Sequence, residues 1–217
     1  MALRIPVVVS LSIVALGASL AAHAQAPAPF KGDAARGREL TYTCNGCHAV
    51  ANYKNVYPTY SVPKLHGQRP EYIVAALKEY KSGERSHGTM HSQASSMNEE
   101  DMADIAAYLS GPNVLTQSKN DVPATARPKA TEVCLACHGT NGVGITADYP
   151  TIAGQHKDYI ERALHDYQKG GRKNPIMAGM AATLTPEDIE ALAAYYSGQT
   201  PALETVPKKT FFFTSAK

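Results

Sequence analysis

One five-residue motif occurs twice in this chain and restricts what the chain can fold into. The pattern Cys-x-x-Cys-His ends at His48 and again at His138, ninety residues further on. Two cysteines one helical turn apart, followed directly by a histidine, are the attachment signature of a c-type haem. The thiols add to one edge of the porphyrin, and the imidazole ligates the iron. The sequence therefore predicts two covalent haems, held by Cys44, Cys47 and His48 and by Cys134, Cys137 and His138.

Two other interpretations of the cysteines fit the sequence less well. A structural zinc site needs four ligands, and each motif supplies three, with no further cysteine nearby. A redox-active disulfide between paired cysteines is typical of thioredoxin-like βαβ units. The segments around these motifs have few β-branched runs and are typical of helices and loops, so a haem site is favoured.

The chain also repeats itself well beyond the cysteines. Residues 63–85 align with 150–172, and residues 97–111 align with 184–198, at a constant offset of 87. Two copies of a unit this long indicate tandem globular domains rather than a solenoid. We expect a signal peptide at 1–24, a first domain at 25–112, a linker at 113–123, a second domain at 124–200 and a tail at 201–217. The tail resembles no part of the repeat, and the sequence assigns it no role.

Each unit is predicted to be all-α, with three to five short helices packed around its haem. A short helix from about Asp33 is predicted to run into Cys44, and its counterpart into Cys134. Apolar residues recur at spacings of three and four, which places them on one helical face. Asn98 and Thr185 are predicted N-caps with an acidic residue three positions on, and Gly111 and Gly198 are predicted to end the same helices. The apolar faces comprise Ile73, Ala76, Leu77 and Tyr80; Ile160, Ala163, Leu164 and Tyr167; Met102, Ile105, Ala106 and Leu109; and Ile189, Leu192, Ala193 and Tyr196.

The repeat selects one methionine in each unit as the second axial ligand. Met90 and Met177 occupy equivalent positions, while the other methionines align with different residue types. A methionine in the sixth position favours electron transfer and raises the potential. His87 and His91 flank Met90, and either imidazole remains an alternative ligand in the first unit.

Four further residues are candidates for supporting the ligands. Pro63 and Pro150 could each present a carbonyl oxygen to the Nδ1–H of the axial histidine, which would fix the tautomer and orient the ring. Arg85 and Arg172 could pair with haem propionates. The alternative is that the prolines mark turns and the arginines lie in solvated loops.

The N-terminal sequence predicts where the protein is located, and the net charge limits the kinds of partner that it can bind. A basic start, an apolar run and Ala22-His23-Ala24 before Gln25 are typical of a cleaved signal peptide, which predicts export to the periplasm. A retained membrane anchor is the alternative. The net charge is +2, and neither half is basic enough to predict nucleic-acid binding.

On these residues the chain resembles the dihaem cytochrome c4 family. The likeness rests on the two haem motifs, on "LHGQ" and "IAGQ", and on "DIAAYLSG" and "ALAAYYSG". It implies two class I cytochrome c domains related by a pseudo-twofold axis, with axial pairs His48–Met90 and His138–Met177. It also implies a periplasmic electron carrier, soluble or membrane-associated. The first unit departs from the second, because its loop after His48 is longer and poorer in glycine.

Three functions remain open at this point. The first is a monomeric electron carrier between a donor cytochrome, copper protein or dehydrogenase and an acceptor oxidase. The second is the haem subunit of a sulfur-compound or other dehydrogenase. The third is catalysis by the chain itself, for which one iron would need an open sixth position.

Overall fold

The computed structural model describes residues 30–116 and 122–207, and within these ranges the chain consists of helices, loops and isolated β-bridges. The predicted all-α class is confirmed. The predicted signal segment 1–24 and the Phe211–Phe213 run of the tail lie outside the described residues. Of the helices described, none is long and apolar enough to cross a bilayer.

The described part of the first domain, residues 30–112, contains five α-helices. The Asp33 side chain caps the first by accepting from the backbone N–H groups of Ala35 and Arg36. Thr41 separates the first helix from the second, which carries the whole first haem motif. The helices are α1 (Ala34–Leu40), α2 (Tyr42–His48), α3 (Pro70–Ser82), α4 (Gly88–Ala94) and α5 (Glu99–Ser110).

The second domain repeats this order with a different start. The short helix expected to run into Cys134 is a 3₁₀ helix, and α6 covers the motif from Leu135 to His138, so that only Cys134 lies outside it. Pro128 explains the difference, because a proline holds the preceding residue in extended backbone, and Arg127 has φ −110° and ψ 140°. The elements are 3₁₀ helices at Ala124–Ala126 and Lys129–Val133, then α6 (Leu135–His138), α7 (Lys157–Gln168), α8 (Pro175–Ala182) and α9 (Pro186–Ser197).

The last helix of each domain has a capped start and a buried apolar face. Reciprocal capping boxes start both helices, between Asn98 and Asp101 and between Thr185 and Asp188, as the sequence predicted. Their apolar faces are buried, which removes apolar surface from water and stabilises each domain. The buried residues are Met102, Ile105, Ala106 and Leu109 in α5 and Ile189, Leu192, Ala193 and Tyr196 in α9.

The two domains meet with equivalent surfaces facing each other. Arg85 forms an antiparallel β-bridge with Arg172, which is its own counterpart at the offset of 87. Ser86 N–H donates to the carbonyl oxygen of Gly171 at 2.7 Å, beside this bridge. Contact between a residue and its own equivalent is what a twofold axis produces. The bridge therefore marks the position of the pseudo-twofold axis.

The segment after α9 joins the domains, although the sequence assigned it no role. Leu203 N–H donates to Ala153 O in the second domain at 2.9 Å. Glu204 then exchanges two backbone hydrogen bonds with His66 of the first domain, both 3.0 Å, and Val206 N–H donates to His48 O at 3.1 Å. Leu203 and Val206 are buried. The described part of the tail thus extends back to the residue that ends the first haem motif.

We expect Leu203→Ala to destabilise the protein by roughly 2–5 kcal/mol, because it removes a buried leucine side chain that the surroundings cannot fully replace. Urea unfolding of the holoprotein measures the loss. Glu204→Ala is the matched control, since Glu204 is exposed and takes part through its backbone. Equal unfolding midpoints for Leu203→Ala and the unaltered chain would contradict the structural role of the tail.

Candidate haem-binding sites

A deep cavity in the first domain is bounded by the first motif on one side and by α4 on the other. Its volume is about 1110 Å³, including the part open to solvent. Cys44, Cys47 and His48 line it together with Met90. The predicted apolar face of α3 supplies much of the remaining wall, through Ile73, Ala76, Leu77 and Tyr80. The structure therefore brings the four candidate haem-binding residues of the first unit around one apolar space.

The second cavity is the equivalent space in the second domain, with a volume of about 810 Å³ including its open part. Cys134, His138 and Met177 line it. Cys137 is not among the residues that line it. All four motif cysteines are free thiols, which leaves them available for covalent attachment.

A carbonyl oxygen orients each motif histidine. Nδ1 of His48 lies 3.0 Å from Pro63 O, and Nδ1 of His138 lies 2.9 Å from Pro150 O. A carbonyl oxygen only accepts, so Nδ1 carries the proton in both rings and Nε2 keeps its lone pair. Burial lowers the pKa of both histidines against the opposing effect of these carbonyls. Both rings are therefore neutral and presented as metal ligands through Nε2.

The candidate methionine ligands lie near the start of short helices that have different caps. The Asn174 side chain caps α8 by accepting from Ile176 and Met177 N–H, both at 3.1 Å. In the first domain the equivalent residue is His87, whose Nδ1 accepts from Met90 N–H at 3.3 Å. A neutral imidazole that accepts at Nδ1 carries its proton on Nε2, so it has no lone pair left for a metal. The geometry favours a capping role for His87.

His91, the other alternative ligand, points elsewhere. Its Nδ1 lies 2.8 Å from the carbonyl oxygen of Tyr80, and the residue is not among those that line the first cavity. Met90 does line that cavity, as Met177 lines the second. The arrangement favours the two methionines over either histidine as the ligands opposite His48 and His138.

The two arginines are buried at the domain interface rather than lying in solvated loops. Arg85 lines the first cavity and Arg172 lines the second. Both guanidinium groups donate to the Tyr159 hydroxyl, Arg85 at 2.7 Å and Arg172 at 3.2 Å. Burial acts to lower the pKa of Arg85, but Tyr159 and the neighbouring tyrosines hold it well above its ordinary value. Two permanent positive charges therefore lie between the cavities.

These buried charges are only partly compensated among the described residues. The nearest carboxylates are 3.8 Å from Arg85 (Glu79) and 3.9 Å from Arg172 (Asp166), longer than a charge-assisted hydrogen bond. Nε of Arg85 is buried without a hydrogen-bond partner. A negatively charged group at the cavity edge would complete this arrangement. The apolar walls, the free thiols, the neutral histidines and the arginines thus fit an iron porphyrin with propionate side chains.

Comparisons with known proteins agree with this geometry. Residues 34–111 match the family described as cytochrome c, and residues 123–195 match the cytochrome c oxidase, cbb3-type, subunit III family. The chain is 32% identical to cytochrome c4 of Pseudomonas aeruginosa, over 86% of this chain and 95% of that protein. The chain belongs to the cytochrome c4 family. Two covalent haem c groups, attached at the cysteine pairs, follow from this membership.

Two further relatives extend the comparison. The crystal structure of reduced cytochrome c4 from Pseudomonas stutzeri matches with a TM-score of 0.60 and 29% identity, covering 78% of this chain and all of that one. A "Thiosulfate dehydrogenase electron acceptor" of Stutzerimonas stutzeri is 27% identical over 71% of this chain and 76% of its own length. A dihaem electron-transfer cytochrome is the function that these cytochrome c4 relatives support for the present chain.

Three features of the sites were not found from the sequence. Gln68 and Gln155 were recognised as repeated residues but given no function, and they bind the opposite domain. Tyr159 lines both cavities. The loop after His48, noted as longer, reaches the second domain, where Ser61 donates through its backbone N–H and its hydroxyl to Asp158. The repeat could have shown that the glutamines were equivalent, but not which surface they contact.

Proposed function

We propose that this protein is a periplasmic carrier that accepts single electrons from one redox protein and delivers them to another. Each haem, when bound, takes up and releases one electron at its iron. His48 and Met90 would hold the iron of the first haem, and His138 and Met177 would hold the iron of the second. A filled sixth position suits electron transfer and leaves no place for a substrate.

The observation that carries this proposal is the sharing of walls between the two cavities. Pro63, Leu65, Tyr72 and Tyr159 line both. One layer of side chains therefore separates the sites, which supports electron exchange within a single chain. The apolar side chains of the walls limit solvent reorganisation at both sites.

In this proposal Arg85 and Arg172 bind the haem propionates and connect the two sites. Each would bind a propionate of the haem in the cavity that it lines, and the Tyr159 hydroxyl links the two guanidinium groups by accepting from both. Partners dock at the outer edges of the sites, where Tyr42 near Cys44 and Val133 beside Cys134 are 86% and 55% exposed. Contacts of this kind suit small, transient interfaces with a donor cytochrome, copper protein or dehydrogenase and with an acceptor oxidase.

Periplasmic location rests on the signal peptide at residues 1–24. Peripheral membrane association and a monomeric state are further parts of the proposal. Residues 1–24 lie outside the described ranges, so the signal peptide is supported by its sequence pattern.

Stopped-flow reduction tests the carrier function. The oxidised holoprotein is mixed with half an equivalent of a small one-electron reductant per haem. Redistribution of the electron between the two haems is then expected to follow a first-order rate that does not depend on protein concentration. A redistribution rate that rises in proportion to protein concentration would mean exchange between molecules and would contradict transfer across the interface.

A second function is favoured by one comparison. The likeness to a thiosulfate dehydrogenase electron acceptor supports a role as the haem subunit of a sulfur-compound dehydrogenase. Size-exclusion chromatography of the native protein distinguishes the two. A free carrier elutes as one polypeptide with two haems, and a subunit elutes with a second polypeptide that carries the dehydrogenase activity.

A further inference from the structure

Gln68 and Gln155 are equivalent residues that each contact the opposite domain. Each follows a glycine in the left-handed backbone region, Gly67 with φ 88° and Gly154 with φ 68°, which other residues rarely adopt. These turns place both side chains in the interface, where the glutamines are only 3% and 5% exposed. Buried amides of this kind must find hydrogen-bond partners.

Each amide group holds the backbone of one residue across the interface. Gln155 Oε1 accepts from Lys64 N–H at 3.0 Å, and its Nε2 donates to Lys64 O at 3.0 Å. Gln68 Oε1 accepts from Thr151 N–H at 2.9 Å, and its Nε2 donates to Thr151 O at 2.8 Å. Each Oε1 also accepts from the next residue of its own chain segment, Arg69 or His156. These contacts fix which end of each amide is the oxygen.

The residues that are held lie next to the carbonyls that orient the haem-ligating histidines. Lys64 N–H and Pro63 C=O are the two ends of one peptide group, and Pro63 O accepts from Nδ1–H of His48. A continuous hydrogen-bonded path therefore runs from Gln155 through this peptide to His48. Hydrogen bonds in such a chain polarise and strengthen one another.

An equivalent hydrogen-bonded path runs from the first domain to the second. Gln68 binds Thr151 N–H, whose peptide group carries Pro150 O, and that oxygen accepts from Nδ1–H of His138. The second-domain glutamine thus acts on the first-domain histidine, and the first-domain glutamine acts on the second-domain histidine. Neither path contains a residue from the haem motif other than the histidine.

We propose that Gln155 and Gln68 are positioning residues that set the haem potential of the opposite domain. Gln155 strengthens the acceptor that faces His48, and Gln68 strengthens the acceptor that faces His138. A stronger acceptor makes the imidazole a more basic ligand. A more basic ligand favours the ferric state, so each glutamine lowers the potential of the haem across the interface. This inference rests on the proposed axial roles of His48 and His138.

Redox titration of the holoprotein tests the proposal with Gln155→Met and Gln68→Met, which keep the side-chain volume and remove the hydrogen bonds. Gln155→Met is expected to raise the potential of the first haem and leave the second unchanged. Gln68→Met is expected to do the reverse. We expect a change of about threefold in each reduction equilibrium, about 30 mV at 59 mV per tenfold. The potentials are assigned to domains by their response to Met90→Ala and Met177→Ala.

Ser61→Ala is the matched neutral control. It removes one interdomain hydrogen bond, from the Ser61 hydroxyl to Asp158 at 2.9 Å, and touches neither peptide. Both potentials should stay unchanged. The proposal is overturned if this control shifts a potential as much as the methionine variants do. It is also overturned if a glutamine variant shifts neither haem, both haems equally, or the haem of its own domain.

A second variant covers the case in which a methionine variant does not fold. Gln155→Glu keeps an acceptor for Lys64 N–H and makes it charge-assisted; its charge lowers both potentials, and the first is expected to fall further than the second. An unchanged or raised first potential would contradict the proposal. The charge-transfer absorption of the methionine–iron bond separates two failures. If that band persists and the potentials do not move, only the cross-domain role is wrong. If the unaltered protein lacks the band, the axial assignment is wrong.

Discussion

Replacing Cys44 and Cys47 together by serine is expected to reduce the covalent haem content from two groups per chain to one. The two thioether bonds are the covalent link to the porphyrin, and serine cannot form them. The first domain should also lose cooperative folding, because the apolar wall of its cavity of about 1110 Å³ would face water. Haem staining after denaturing electrophoresis and a pyridine haemochrome assay measure the stoichiometry.

The matched comparison for this variant is the same double serine replacement in the second motif. Cys134 and Cys137 replaced by serine should also leave one haem, now in the first domain. Thermal unfolding should show that each variant loses a different domain. Two covalent haems in either double variant would contradict the attachment sites.

Removing the axial methionines has the second large expected effect. Met177→Ala should abolish the methionine–iron charge-transfer band of one haem and lower its potential by on the order of 100 mV, within the roughly 0.8 V range that axial ligands span. The reason is that a methionine ligand raises the potential. The newly open position should also bind added cyanide or imidazole. Absorption spectra and redox titration check all three effects.

Met90→Ala should likewise abolish the methionine–iron band of the first haem and lower its potential. His91→Ala is the control. His91 donates to Tyr80 O and does not line the cavity, so its loss should leave the charge-transfer band unchanged. Retention of the unaltered band in Met90→Ala, together with new cyanide binding in His91→Ala, would transfer the ligand role to His91. The same two variants also test catalysis by the chain itself. That function requires an iron whose sixth coordination position is open in the unaltered protein.

Much of the fold could be predicted because its determinants are local. Helix periodicity, the capping boxes at Asn98 and Thr185, and the glycines that end α5 and α9 depend on neighbouring residues, and the structure has all of them. The 3₁₀ helix before Cys134 was missed, since Pro128 outweighed the expectation that the two copies begin alike.

Candidate site residues could be predicted where the repeat aligned the two units residue by residue. Equivalence at an offset of 87 singled out Met90 and Met177, and the structure brings each of them to the cavity of its own domain. The interface was not predictable in this way, because the repeat shows which residues are equivalent but not which surfaces meet. That Arg85 faces Arg172, and that each glutamine binds the opposite domain, depends on the docking of the two domains.

The tail and His87 show a different limit. Tail residues 203–206 have no repeat partner, and their contacts with His66 and His48 join positions far apart in the chain. His87 has the residue type of a ligand, and only its hydrogen bond to Met90 N–H shows that it caps α4. Composition could not distinguish these roles.

The intensity of the methionine–iron charge-transfer band in the oxidised holoprotein tests the central claim most directly. Two electron-transfer haems, ligated by His48 with Met90 and by His138 with Met177, should give the full intensity of two such bonds per chain at neutral pH. Half of that intensity would mean that one site lacks its methionine. No band at all would contradict the account of both sites.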